Sequence, residues 1–172
     1  MSRVLGIDPG SRVTGYGVVD GDWGTSRVVA YGTIRLGDQQ PLHERLVRLH
    51  EAVRELQVLH KVDEVAVERV FVARNADSAL KLGHARGVVL LAIGQAGLPL
   101  FEYTPAQVKK SVTGSGRAIK GQVGALVRAI LGLDEDPAED AADALAIALT
   151  HQMLAGARGL LEAYGAAPRR RR

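Results

Sequence analysis

The stretch Val4-Leu5-Gly6-Ile7-Asp8-Pro9-Gly10-Ser11-Arg12-Val13-Thr14-Gly15-Tyr16-Gly17-Val18-Val19 constrains the fold more than any other part of the chain. An apolar run ends in a carboxylate, a Pro-Gly turn follows, and a second apolar run with two glycines returns. This reads as two short strands joined by a tight connection, with Asp8 at the end of a buried strand. Taking a carboxylate out of water costs on the order of several kcal/mol unless it is paired, hydrogen-bonded or metal-bound. Asp8 therefore needs a compensating partner, unless Asp8-Pro9-Gly10 is simply a good turn.

The rest of the chain extends this start into an α/β architecture. Strands are expected at Val4–Asp8, Gly15–Asp20 and Arg27–Arg35, an antiparallel meander. The period then changes. Leu42, Leu46, Leu49, Val53 and Leu56 recur at spacings of three and four and predict an amphipathic helix over Pro41–His60. A strand at Glu64–Glu68, a helix from Asn75 to about Gly97 (Leu80, Ala85, Val88, Leu91 and Ala92 apolar) and a strand at Pro99–Tyr103 follow. Thr104-Pro105 is a helix start, a capping hydroxyl before proline. Two more helices are expected at Lys120–Leu131 and Glu139–Leu154. Strands after helices join by right-handed crossovers, giving a mixed five-stranded sheet with helices on both faces. Residues 1–156 form one domain, and 157–172 a flexible basic tail ending in four arginines, Arg169–Arg172.

Composition excludes several classes. Of 172 residues, 47% are hydrophobic, which argues against disorder, and no apolar run could span a membrane. Nothing at the N-terminus resembles a secretory signal, so a cytoplasmic protein is expected. The absence of cysteine removes thiolate metal sites and cysteine nucleophiles. No two of His43, His50, His60, His84 and His151 stand at helical i, i+4 spacing, so a histidine-built zinc site lacks support. Lys109, Lys110, Arg117 and Lys120 crowd a stretch without acids, while acids collect between Asp134 and Asp143. Basic patches beside an acidic cluster suit a protein that holds a polyanion and a divalent cation.

Carboxylates stand at three places where the fold does not need them. Asp8 and Glu68 each end a strand, and β-pairing of those strands in parallel sets them side by side. Asp140 and Asp143, three apart in Glu139-Asp140-Ala141-Ala142-Asp143-Ala144-Leu145-Ala146, share one helix face. Flanking alanines let that helix lie close to the sheet. Each site has a plainer reading: a turn, a solvated strand end, a complement to the helix dipole. Together they would repel without a counter-charge, and oxygen-only ligands suit Mg²⁺ or Mn²⁺. Two such ions clamp the attacking and leaving oxygens of a phosphoryl displacement.

The segments Gly6–Gly17, Glu68–Gly83 and Asp140–Ala146 resemble the RuvC family of bacterial Holliday junction resolvases, in order and over about Ser2–His151. The resemblance implies a ribonuclease H-like fold, a homodimer, divalent-metal catalysis with the four acids on Asp8, Glu68, Asp140 and Asp143, and branch-migration partners of the RuvA and RuvB kind. The implied activity is resolution of four-way DNA junctions by paired symmetric nicks in recombination and repair, leaving 5′-phosphate and 3′-hydroxyl ends. In such proteins the position of Phe71 is a wedge near the crossover. By residue type, Phe71 between Arg69 and Arg74 suits stacking on an unpaired base, or burial in the core. Lys109 and Lys120 match basic positions of the family. Lys110, Arg117, Arg74 and Arg12 are added as phosphate contacts on charge and place.

Gly83 and Gly87, four apart in the second helix, allow a close helix–helix approach between protomers, unless they pack onto the sheet. Two other functions remain open from sequence. A non-catalytic junction-binding scaffold would not need four intact acids. An ATPase-like phosphate-binding domain of the same fold also opens with Gly-Ile-Asp-x-Gly, but usually needs two such domains and lacks the Asp-Ala-Ala-Asp helix.

Overall fold

The computed structural model describes residues 2–69, 75–114 and 121–163. Val4, Leu5 and Ile7 lose all solvent contact and build β1 (Val4–Asp8) into the centre of a sheet. β2 (Val13–Asp20) and β3 (Arg27–Arg35) complete the antiparallel meander. β4 (Glu64–Glu68) pairs with β1 in parallel, and β5 (Leu100–Tyr103) pairs with β4 in parallel. The strand order is β3-β2-β1-β4-β5, the mixed five-stranded sheet expected.

Successive side chains on each strand point to opposite faces, and the two faces carry separate cores. Leu5, Ile7, Val18, Val65 and Val67 meet α1 (Leu42–Leu59) and α2 (Ala76–Ala96). Val4, Val19 and Ala66 meet α3 (Pro105–Thr113), α4 (Gln122–Leu131) and α5 (Glu139–Ala163). Leu145, Ile147 and Leu149 of α5 are fully buried, each worth about 1.5–3 kcal/mol of transfer free energy. Thr104 caps α3 through the capping box with Gln107. Asn75 caps α2, which ends on Gly97 at φ 66°.

Three elements differ from expectation. α5 continues past Leu154 to Ala163, because Ala, Leu and Met sustain the helix where no stop signal intervenes. α2 buries Ala85, Val89, Ala92 and Ile93 but leaves Leu80 (61%) and Leu91 (54%) exposed. Its sequence is apolar nearly all round, so periodicity alone did not pick the core face. In α1 the buried row includes Arg45 and Gln57 beside Leu49 and Val53, two polar residues that an apolar stripe does not predict.

Candidate active site

The parallel register sets Val4 against Glu64 and Ile7 against Val67. One residue further, Asp8 and Glu68 stand at adjacent strand ends, on the face covered by α5. Asp140 and Asp143 reach the same edge because α5 lies unusually low on the sheet. A Cβ added at Gly15 would sit 1.8 Å from the Asp140 carbonyl oxygen, and one at Gly6 would sit 2.1 Å from that of Ala144. At Gly17 it would strike the Leu145 side chain at 2.6 Å. Glycines on two strands thus form a floor, and alanines on the helix match it.

Mutual repulsion marks the result. Burial first, and then the charges of Glu68, Asp143 and Asp140, together raise the Asp8 pKa from 3.8 to about 8. Glu68 rises from 4.5 to about 6 through burial and the charge of Asp143, against a lowering by Lys109. The four acids therefore feel one another. Among the described residues, no three carboxylate or imidazole groups stand close enough together to hold a metal ion without moving. The arrangement is an open, oxygen-only set with excess negative charge, a donor set that fits a hard divalent cation.

The family model for the crossover junction endodeoxyribonuclease RuvC matches residues 4–151. The chain belongs to the RuvC family. It is 61% identical to the RuvC of Halorhodospira halophila, over 88% of this chain and 90% of that protein. It is 49% identical to the RuvC of Pseudomonas putida over 100% of this chain and 97% of that one. Its structure is similar to Thermus thermophilus RuvC in complex with Holliday junction substrate, with TM-score 0.85 and 41% identity, covering 90% of this chain and 95% of the other. The ribonuclease H-like fold of RuvC is therefore the fold found here, and divalent-metal use goes with the family. The yeast mitochondrial resolvase Ydc2, at 18% identity and TM-score 0.57, shares the fold.

Several features of this RuvC-family site were not legible in the sequence. The loop that leaves Asp8 is clamped from within. Thr14 is fully buried, and its Oγ1 accepts from the Gly10 amide at 3.2 Å and donates to the Gly10 carbonyl at 3.1 Å. Arg45 of α1, itself buried, donates through Nη2 to the Ser11 carbonyl. On the α5 face, His151 of α5 bridges two strands. Its Nε2 lies 2.7 Å from Glu64 Oε2 and its Nδ1 2.7 Å from Tyr103 Oη. With Glu64 ionised, Nε2–H donates to it and Nδ1 accepts from the tyrosine, whose pKa burial raises. Tyr103 is the cross-strand neighbour of Glu68. The period-two glycines 15 and 17 were the one readable signal; a small residue every second strand position marks a close-packed face.

Of the candidate DNA contacts, Lys109 and Lys110 are exposed on α3, and Lys109 is near enough to act on Glu68. A cavity of about 610 Å³ opens between Lys109, Asp143 and the start of α4 at Gly121, Val123 and Gly124. Arg12 is exposed beside the Asp8 loop and lies 3.4 Å from Asp38. Phe71, Arg74, Arg117 and Lys120 lie outside the described residues, as does the arginine run at 169–172. No helix among the described residues is long and apolar enough to cross a membrane.

Proposed function

We propose that this chain resolves four-way DNA junctions as a homodimer by paired symmetric nicks. Asp8, Glu68, Asp140 and Asp143 would hold two divalent ions, Mg²⁺ or Mn²⁺, in each active site. The observation that carries this reading is the Asp8 carboxyl, raised to about 8 by burial and three neighbouring acids at an open edge. Such a site gains most by taking up cations.

Bound ions would supply an activated water and neutralise charge on the attacking and leaving oxygens. The chain's own residues do the rest. Asp8, held by the Thr14 and Arg45 clamps, faces the α5 carboxylates across the scissile phosphate. Glu68, on the next strand, lies on the side toward Lys109 and the leaving 3′ oxygen. Lys109, Lys110, Lys120, Arg117, Arg74 and Arg12 hold backbone phosphates, which position DNA without reading its sequence. Phe71 stacks on a base unpaired at the crossover. Cleavage leaves 5′-phosphate and 3′-hydroxyl ends.

The exposed stripe Leu80, Gly83, Gly87 and Leu91 on α2 supports a two-fold interface. A Cβ at either glycine meets nothing within 4 Å among the described residues, so neither packs onto the sheet. A second α2 crossing there would bury the two leucines and place two sites across a symmetric junction. The protein would work on chromosomal DNA in the cytoplasm with RuvA- and RuvB-type branch-migration proteins.

The test is cleavage of an immobile four-way junction beside a linear duplex of the same sequence, with Mg²⁺, Mn²⁺ or EDTA. Paired, metal-dependent nicks confined to the junction are expected. Asp8→Asn with Glu68→Gln should bind the junction and leave it intact. Equal cutting of duplex and junction would remove the resolvase reading. Binding without cutting by the unaltered chain under every metal would leave a junction-binding scaffold.

A further inference from the structure

Lys109 and Lys110 flank the acids on the β5 side. The opposite side, toward the sheet's β3 edge, carries its own cluster of cations. Asp8 pairs with Gly15, Gly15 with Thr33, and Val13 with Arg35. Strand alternation therefore places Thr33 and Arg35 on the same face as Asp8, with Arg35 at the same end of the sheet. Two strand spacings separate β3 from β1, roughly 10 Å. That is one to two phosphate steps along a DNA strand lying across the acids.

Two other arginines meet the backbone at this end of β3. The Leu36 amide donates to the Arg12 carbonyl at 2.9 Å, which ties the end of β3 to the Asp8 loop. Arg48 of α1 donates through Nη2 to the Arg35 carbonyl at 3.5 Å and through Nη1 to Gln40 Oε1 at 2.8 Å. All three arginines are exposed. Asp38 lies 3.4 Å from Arg12, in a pair whose side chains are 73% and 52% exposed and so contribute little, and Glu44 and Glu51 stand one turn from Arg48 on α1. Three exposed arginines around the end of β3, tied to the Asp8 loop by the Leu36–Arg12 backbone hydrogen bond, match a polyanionic backbone in charge.

We propose that Arg12, Arg35 and Arg48 form a second phosphate-binding flank that holds a junction arm on the β3 side of the acids. The inference rests on the junction-resolving reading and adds where the DNA continues beyond the cut. The substrate then crosses the sheet edge from α3 to β3, with the acids midway.

The experiment is equilibrium binding of a fluorescent four-way junction without metal, repeated from about 50 to about 200 mM salt. The double variant Arg35→Gln, Arg48→Gln should bind on the order of tenfold more weakly near 0.1 M salt, with a log–log salt slope shallower by about two. Cleavage at saturating protein should keep its wild-type rate. Asp38→Asn should do the opposite and bind more tightly, a change that loss of structure cannot produce. An unchanged slope in a double variant that melts like wild type overturns the proposal. Where the double variant melts early, Asp38→Asn decides: tighter binding supports the flank, and unchanged binding overturns it. A wild-type chain that fails to prefer junctions overturns the functional reading and this inference together, whereas normal junction cutting with indifferent arginines overturns this inference alone.

Discussion

Gly15 and Asp140 touch where no side chain fits: a methyl at Gly15 would stand 1.8 Å from the Asp140 carbonyl oxygen. The candidate acid and the floor that admits it are thus one packing unit. Gly15→Ala must lift the start of α5 or bend β2. Overpacking of this kind costs about 1–3 kcal/mol, and the displacement falls on Asp140. The variant should melt lower than wild type and lose metal-dependent cleavage even where it remains folded. Thermal melting and single-turnover cleavage check this together; a folded variant with wild-type cleavage would show that the helix need not sit so low.

Gly83 and Gly87 make the opposite case, since both open onto solvent. Alanine in a helix interior is favoured over glycine by roughly 0.5–1 kcal/mol. Gly83→Ala with Gly87→Ala should therefore raise the melting temperature at low protein concentration. It should also weaken dimerisation by crowding the α2 stripe. Sedimentation equilibrium reads the second effect, and an unchanged dimer constant would move the interface off α2.

The acid cluster makes stability depend on pH when metal is absent. Asp8 and Glu68 both have raised pKa values, so the folded chain holds their protons more tightly than the unfolded chain does. That stabilisation is complete below the ordinary values of 3.8 and 4.5, and is lost as pH rises through about 6 for Glu68 and about 8 for Asp8. In EDTA the melting temperature should fall across this range, and Asp8→Asn should flatten the fall. Added Mg²⁺ should restore wild type more at pH 8 than at pH 6. Identical pH curves for wild type and Asp8→Asn would remove Asp8 as the source.

His151 spends both ring nitrogens inside the fold, on Glu64 and Tyr103. Tyr103→Phe leaves Nδ1 of a buried imidazole unpaired, which costs about 1–3 kcal/mol. Calorimetry should show that loss while junction affinity stays at the wild-type value. A variant as stable as wild type would mean that water or another donor reaches the ring.

The sequence by itself determined the order and type of the elements. The short apolar runs bounded by turns of β1 to β5, the three-and-four spacing of α1 and the Thr104-Pro105 start are local signals, and each follows from backbone geometry that acts within a few residues. It also marked the acids, because Asp8 and Glu68 end apolar strands and Asp140 and Asp143 share a helix face among alanines. Tertiary structure alone decided how these meet. The glycine floor, the Arg45 clamp on Ser11 and the Glu64–His151–Tyr103 bridge each join residues far apart in the chain, and no local pattern encodes a partner at that distance. The exposed face of α2 was hidden for a related reason: a helix apolar on most sides shows its buried face only when the sheet it packs against is in place.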